Sequence, residues 1–257
     1  MRITPGLSLI LSLYLLAVPL SAGKHKSPAH PSVAATSQTI ASPSPQNPND
    51  VLAGLLAGNK RFINSSCLYS NQDRKRRSET AQNGQKPLAT ILSCSDSRVP
   101  PEIIFDQGIG DLFVIRVAGN IVDKIEIGSI EYGVNHLGTP LLMVLGHTKC
   151  GAVTSAIKGG EVHGSIAGLI DKIKPVAEKT RAERKDLSED ELIVKTIKAN
   201  IFKTIEDIFA SSPEIRTRVA EGKLKVIGAL YDIETGEVSD LGVHYRQETL
   251  IRGKGKQ

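Results

Sequence analysis

Four short apolar runs, Leu88 to Ser93, Leu112 to Val117, Leu141 to Gly146 and Lys225 to Tyr231, constrain this chain most, because stretches of helical spacing lie between them. Runs of this length without polar alternation read as strands covered on both faces, the condition of a parallel sheet. Asn49-Asp50 offers an N-cap to an amphipathic helix over residues 50 to 64, carried by Val51, Leu52, Leu55, Leu56, Phe62 and Ile63. Ile127, Ile130, Val134 and Leu137 follow helical spacing until Gly138-Thr139-Pro140 stops them. Residues 151 to 210 read as helix, interrupted at Gly159-Gly160 and near Pro175, with an apolar stripe of Ile193, Ile197, Ile201, Ile205 and Ile208. Glu234-Thr235-Gly236-Glu237 then turns the fourth strand into a fifth run, Val238 to Val243. The expected fold is α/β: a mostly parallel four-stranded sheet with an antiparallel C-terminal edge strand and helices on both faces.

The first fifty residues stand apart. Arg2 precedes the apolar run Leu7 to Val18, and Leu20-Ser21-Ala22 supplies small residues for cleavage, so residues 1–22 read as a secretory signal. An uncleaved signal anchor is the alternative, although the run is short for a span. Residues 23–49, rich in Pro, Ser, Ala and Thr, read as a disordered linker, leaving residues 50–250 as one domain and an exported protein of periplasm or exterior. The net charge of +5 is spread over both signs apart from Arg74-Lys75-Arg76-Arg77. With no aromatic residues interleaved there and no binding motif, nucleic-acid binding is not expected. Once the signal is removed, no membrane span is expected either.

Three cysteines, Cys67, Cys94 and Cys150, are an odd number for a disulfide framework. Two of them have a better explanation. Cys94 ends the first apolar run, while His147 and Cys150 end the third, and ligands in an open parallel sheet sit outside the carboxyl ends of its strands. Two thiolates and an imidazole suit one Zn2+ per chain, and three protein ligands leave the fourth tetrahedral position for water. Cys150 also gains from opening a helix whose dipole favours its thiolate. Asp96 is placed to accept a hydrogen bond from the metal-bound water, with Arg98 clamping it as an ionised pair. The alternative is that Asp96 itself closes the fourth position and switches the site off at low pH. Cys67 is left over and reads as a small buried residue.

Cys94-Ser95-Asp96-Ser97-Arg98, Val114 to Asn120, Ser129-Ile130-Glu131-Tyr132 and Gly146 to Gly151 together resemble the β-class carbonic anhydrases over about residues 50 to 245. The resemblance implies reversible hydration of carbon dioxide to bicarbonate and a proton by zinc-bound hydroxide. It makes Cys94, His147 and Cys150 the zinc ligands and Asp96 and Arg98 the catalytic dyad. It further implies that Gln85 hydrogen-bonds substrate, that Phe113, Ala118 and Tyr132 line the small apolar pocket, and that the chain is an obligate homodimer, often assembled further, in which N-terminal helical arms of one chain wrap the other. The bicarbonate-inhibited subtype is similar but carries Trp three residues before its first Cys, where this chain has Ile91 and no Trp anywhere. That difference, with Gln85 present, points to the open, non-bicarbonate-regulated subtype. No proton shuttle stands out, His136 and His163 being candidates only by their titration range. Two rival functions remain at this point: a carbonyl sulfide or carbon disulfide hydrolase on the same scaffold, and a non-catalytic exported zinc-binding protein.

Overall fold

The computed structural model describes residues 47–160 and 162–252. The expected signal and all but the last three residues of the expected linker lie outside them. Of those three, Pro48 and Asn49 open the first helix, α1 (Pro48–Ile63), and Asn47 caps it through the Asn49 amide; Pro48 takes the first turn, where its missing N–H costs nothing. α2 (Arg74–Asn83) buries no residue, and its basic cluster is anchored instead by Arg76, which donates to the Ile109 carbonyl and to Asp111.

β1 (Ala89–Ser93) leads through α3 (Pro101–Ile104) to β2 (Leu112–Arg116). A 3-10 turn at Ala118–Asn120 follows, then α4 (Lys124–Glu131), which a capping box of Asp123 and Glu126 begins and a π-helical turn at Tyr132–His136 prolongs. β3 (Leu141–His147) is followed by α5 (Gly151–Lys158), α6 (Ile166–Glu183), α7 (Glu189–Ser211) and α8 (Pro213–Ala220). β4 (Lys225–Tyr231), β5 (Val238–Gly242) and α9 (Gln247–Arg252) complete the described chain.

One expected break is not there. Pro175 lies inside α6, and the chain breaks instead at residues 184–188, where Ser188 and Glu191 form a capping box that starts α7. An interior proline removes one helical hydrogen bond. Here its ring is exposed, and Ile173, Val176 and Ala177 bury around it, so packing holds the helix through the defect.

The sheet order is β2-β1-β3-β4-β5, with β2, β1, β3 and β4 parallel and β5 antiparallel to β4. All seven residues of β3 are buried, as the unbroken apolar run required. Leu92, Leu142, Val144 and Val226 face the helices α5, α6 and α7, whose Ile173, Ile197, Ile201 and Ile205 cover them. Each such side chain contributes about 1.5–3 kcal/mol by leaving water. Ile91, Met143, Leu145 and Ile227 face the other way, against Val51, Leu52 and Leu55 of α1 and against Ile104 and Phe105. α1 therefore spends its apolar stripe on its own chain's sheet. The chain leaves β1 toward one edge and β3 toward the other, so the carboxyl ends of these two neighbours open a crevice.

Candidate metal centre

Cys94 follows β1 directly, His147 is the last residue of β3, and Cys150 caps α5. One ligand atom from each lies within 4.8 Å of the others, and all three residues are buried. Their placement follows from the parallel register, which pairs Ser93 with Leu145 and so brings the two strand ends level. Gly146 permits the close approach of α7: a Cβ there would stand 2.7 Å from the Ile201 side chain. Lys149 takes a left-handed backbone (φ 56°) that folds the chain back between His147 and Cys150.

His147 Nδ1 lies 2.9 Å from the Thr148 carbonyl, which only accepts, so this nitrogen carries the proton. Nε2 is then a bare lone pair, buried and without a protein partner. A hydrogen bond from the Cys150 thiol draws the Cys94 thiol well below its ordinary value against the opposing effect of burial, with help from the Gly119 amide. The same bond, together with burial, pushes the Cys150 thiol up. Two buried sulfurs beside an orphaned imidazole nitrogen make a donor set that zinc satisfies in full.

Asp96 stands at the rim, its Oδ2 3.9 Å from His147 Nε2. Arg98 holds it with both arms, Nε to Oδ1 at 2.9 Å and a terminal nitrogen to Oδ2 at 2.7 Å, and adds its own backbone amide at 2.9 Å. These bonds keep the Asp96 carboxyl well below the usual carboxylate range. Arg116 steadies the same loop from β2, donating to the carbonyls of Cys94 at 3.0 Å and Asp96 at 2.5 Å. Neither Arg116 nor the Gly119 amide, which reaches Cys94 Sγ at 3.2 Å, stood out as a site residue from spacing. A charge closing an apolar run and a glycine three residues beyond it were the available signals.

Residues 89–238 match the sequence model of the family described as Carbonic anhydrase. The chain is 39% identical over 194 residues to Carbonic anhydrase 2 of Mycobacterium tuberculosis, covering 74% of this chain and 91% of that protein. The chain belongs to the β-class carbonic anhydrases. Carbonic anhydrase of Mycolicibacterium smegmatis is 36% identical over 199 residues, 75% of this chain and 92% of the relative. Among solved structures, a tetrameric β-carbonic anhydrase of Sordaria macrospora superposes with a TM-score of 0.62 at 28% identity, covering 76% of this chain and 98% of that one. The β-carbonic anhydrase CafA of Aspergillus fumigatus gives 0.64 at 25% identity, covering 80% and 99%.

The pocket residues that β-class membership implies do not gather at one place in the single chain. Ala118 is near, in the turn whose next residue touches Cys94. Phe113 is level with Thr90, four residues before Cys94 on parallel strands, a separation of about 13 Å along the strand direction. Tyr132 lies tilted beside Phe113 at 5.8 Å between ring centroids, and His136 beside Tyr132 at 4.6 Å. Gln85 is exposed in the segment entering β1. These residues mark the amino-terminal end of β1 and β2, opposite the metal centre. His163 is exposed in the connection between α5 and α6, and Cys67 is free and half-buried.

Proposed function

We infer that this β-carbonic anhydrase hydrates carbon dioxide reversibly to bicarbonate and a proton, using one zinc ion held by Cys94, His147 and Cys150. The observation that carries the reading is a buried Cys-His-Cys triad with an arginine-clamped aspartate 3.9 Å from its imidazole. Zinc, when bound, supplies the Lewis acidity that lets water react as a nucleophile near neutral pH. Asp96 is the acceptor that orients that nucleophile. Because Arg98 keeps its carboxylate charged, Asp96 holds no proton of its own and accepts one hydrogen bond in a fixed direction. Carbon dioxide offers no charge to grip, so the chain's task is a dry apolar surface beside the nucleophile, and Ala118 contributes to it.

Two observations support the open subtype. Both Asp96 oxygens are engaged by Arg98, and Ile91 occupies the place of the regulatory subtype's Trp.

The finer reading of assembly is a homodimer in which one protomer's Gln85, Phe113 and Tyr132 complete the pocket of its partner. It is supported by their distance from the triad within one chain, by Tyr132 being 46% exposed, and by β2 forming an open sheet edge. It is also supported by the tetrameric state of the Sordaria relative. Export to periplasm or exterior rests on the sequence of residues 1–22 and is tested by fractionation with N-terminal mapping of the mature chain. Among the described residues no helix is long and apolar enough to cross a membrane.

Stopped-flow carbon dioxide hydration with parallel zinc analysis tests the function. The wild type is expected to hydrate carbon dioxide with one zinc per chain, and Asp96→Ala to keep its zinc while losing about 10²-fold in kcat/KM. A zinc-loaded wild type that hydrolyses carbonyl sulfide but does not hydrate carbon dioxide would replace the assignment, and one inert to both would leave a binding protein.

A further inference from the structure

α7 buries three polar side chains along its otherwise isoleucine-rich face, Thr196, Asn200 and Thr204, spaced four residues apart. Burying a polar group without a partner is destabilising, so each needs a reason to be there. Two of them have the same reason. Asn200 Nδ2 donates to the Gly119 carbonyl at 2.8 Å, and Thr204 Oγ1 donates to the Asn120 carbonyl at 3.0 Å. Those carbonyls belong to the short turn after β2 whose Gly119 amide donates to Cys94 Sγ at 3.2 Å. The turn runs through two successive left-handed residues, Gly119 at φ 75° and Asn120 at φ 45°. The second is a non-glycine residue in a conformation that outside contacts must hold.

We propose that Asn200 and Thr204 are positioning residues for the metal centre: they clamp the Ala118–Asn120 turn from α7 so that the Gly119 N–H stays aimed at the Cys94 sulfur. The carbonyl that Asn200 holds belongs to the peptide after the donating amide. Its effect is therefore mechanical, fixing the turn's dihedrals rather than polarising the N–H directly. An N–H bond to a thiolate fixes the sulfur's direction and tempers the charge it gives a metal, as outer hydrogen bonds do for ligands in general. The inference rests on the reading of the triad as a zinc centre. Thr196, buried on the same face with no hydrogen-bond partner for its hydroxyl, supplies a matched control.

The experiment measures zinc affinity by chelator competition, and the thiolate-to-metal charge-transfer band of the cobalt-substituted protein, in wild type, Asn200→Leu, Thr204→Val and Thr196→Val. Asn200→Leu is expected to weaken zinc binding about tenfold and to shift the band. Thr204→Val should move both in the same direction by less, and carries the test alone if Asn200→Leu does not fold. Thr196→Val should leave both at wild-type values. Folded Asn200→Leu and Thr204→Val proteins with wild-type affinity and an unmoved band would reduce these residues to core caps and overturn the proposal. So would a Thr196→Val protein shifted as far as Asn200→Leu. A wild type that takes up no stoichiometric metal would instead overturn the reading beneath it.

Discussion

Asp106 shows how a single carboxylate can tie a loop to the fold. Its buried side chain takes Arg61 Nε at 2.6 Å, the Leu68 amide at 3.0 Å and the Tyr69 amide at 3.2 Å. Burial works against the charge, but the two amides and Arg61 outweigh it and hold the carboxyl below its ordinary value. A depressed carboxylate stabilises above its unfolded pKa of about 4, and that stability disappears as pH falls through the folded value. Asp106→Asn should therefore cost about 2–3 kcal/mol in urea unfolding at pH 7, with the gap closing below about pH 4. An equal gap at pH 7 and pH 3 would refute this account. At the metal centre, the two cysteines are free and adjacent once no ion joins them. Chelation in air should inactivate the enzyme by oxidation of Cys94 and Cys150, with zinc plus reductant restoring activity and zinc alone failing. Full recovery with zinc alone would show that the sulfurs stay reduced. Cys94, Asp96, Arg98, His147 and Cys150 were all legible in the sequence, because each lies within a few residues of a strand end. Arg116, Asn200 and Thr204 were not, since hydrogen bonds to a loop's carbonyls leave no spacing signature.

At the scale of elements, periodicity located the strands to within a residue and found the buried isoleucine stripe of α7. It misjudged α6. A proline was read as a break because local backbone chemistry favours one there, yet the apolar residues on either side pack on the same helices and hold the axis together. Pro175→Ala should accordingly stabilise the protein by about 1–3 kcal/mol, restoring a hydrogen bond on an exposed face. A fall in the thermal midpoint would mean that the proline fits a conformation the helix prefers. The short α3, α8 and α9 gave no sequence signal strong enough to place them, being too brief to show a period.

For the whole molecule, the sheet order decides what meets. The chain leaves β1 and β3 in opposite directions, which gathers Cys94 and the His147–Cys150 loop 53 residues away in sequence at one end, while Gln85, Phe113 and Tyr132 fall at the other. If a partner protomer supplies the latter group, inactive Cys94→Ser and Gln85→Ala chains should complement one another when refolded together. Each mixed dimer then holds one site with both halves intact, and activity should rise to roughly a quarter of wild type, half the chains pairing as mixed dimers with one working site each. No gain over the separate variants would place the pocket within a single chain. The sequence by itself determined the metal-binding chemistry and the strand-helix alternation, because ligand type and apolar spacing are local properties of the chain. Only the tertiary structure decided which strand ends stand side by side and which turn reaches the Cys94 sulfur. Those follow from parallel register and from α7 packing across the sheet, which are contacts between residues that no local pattern connects.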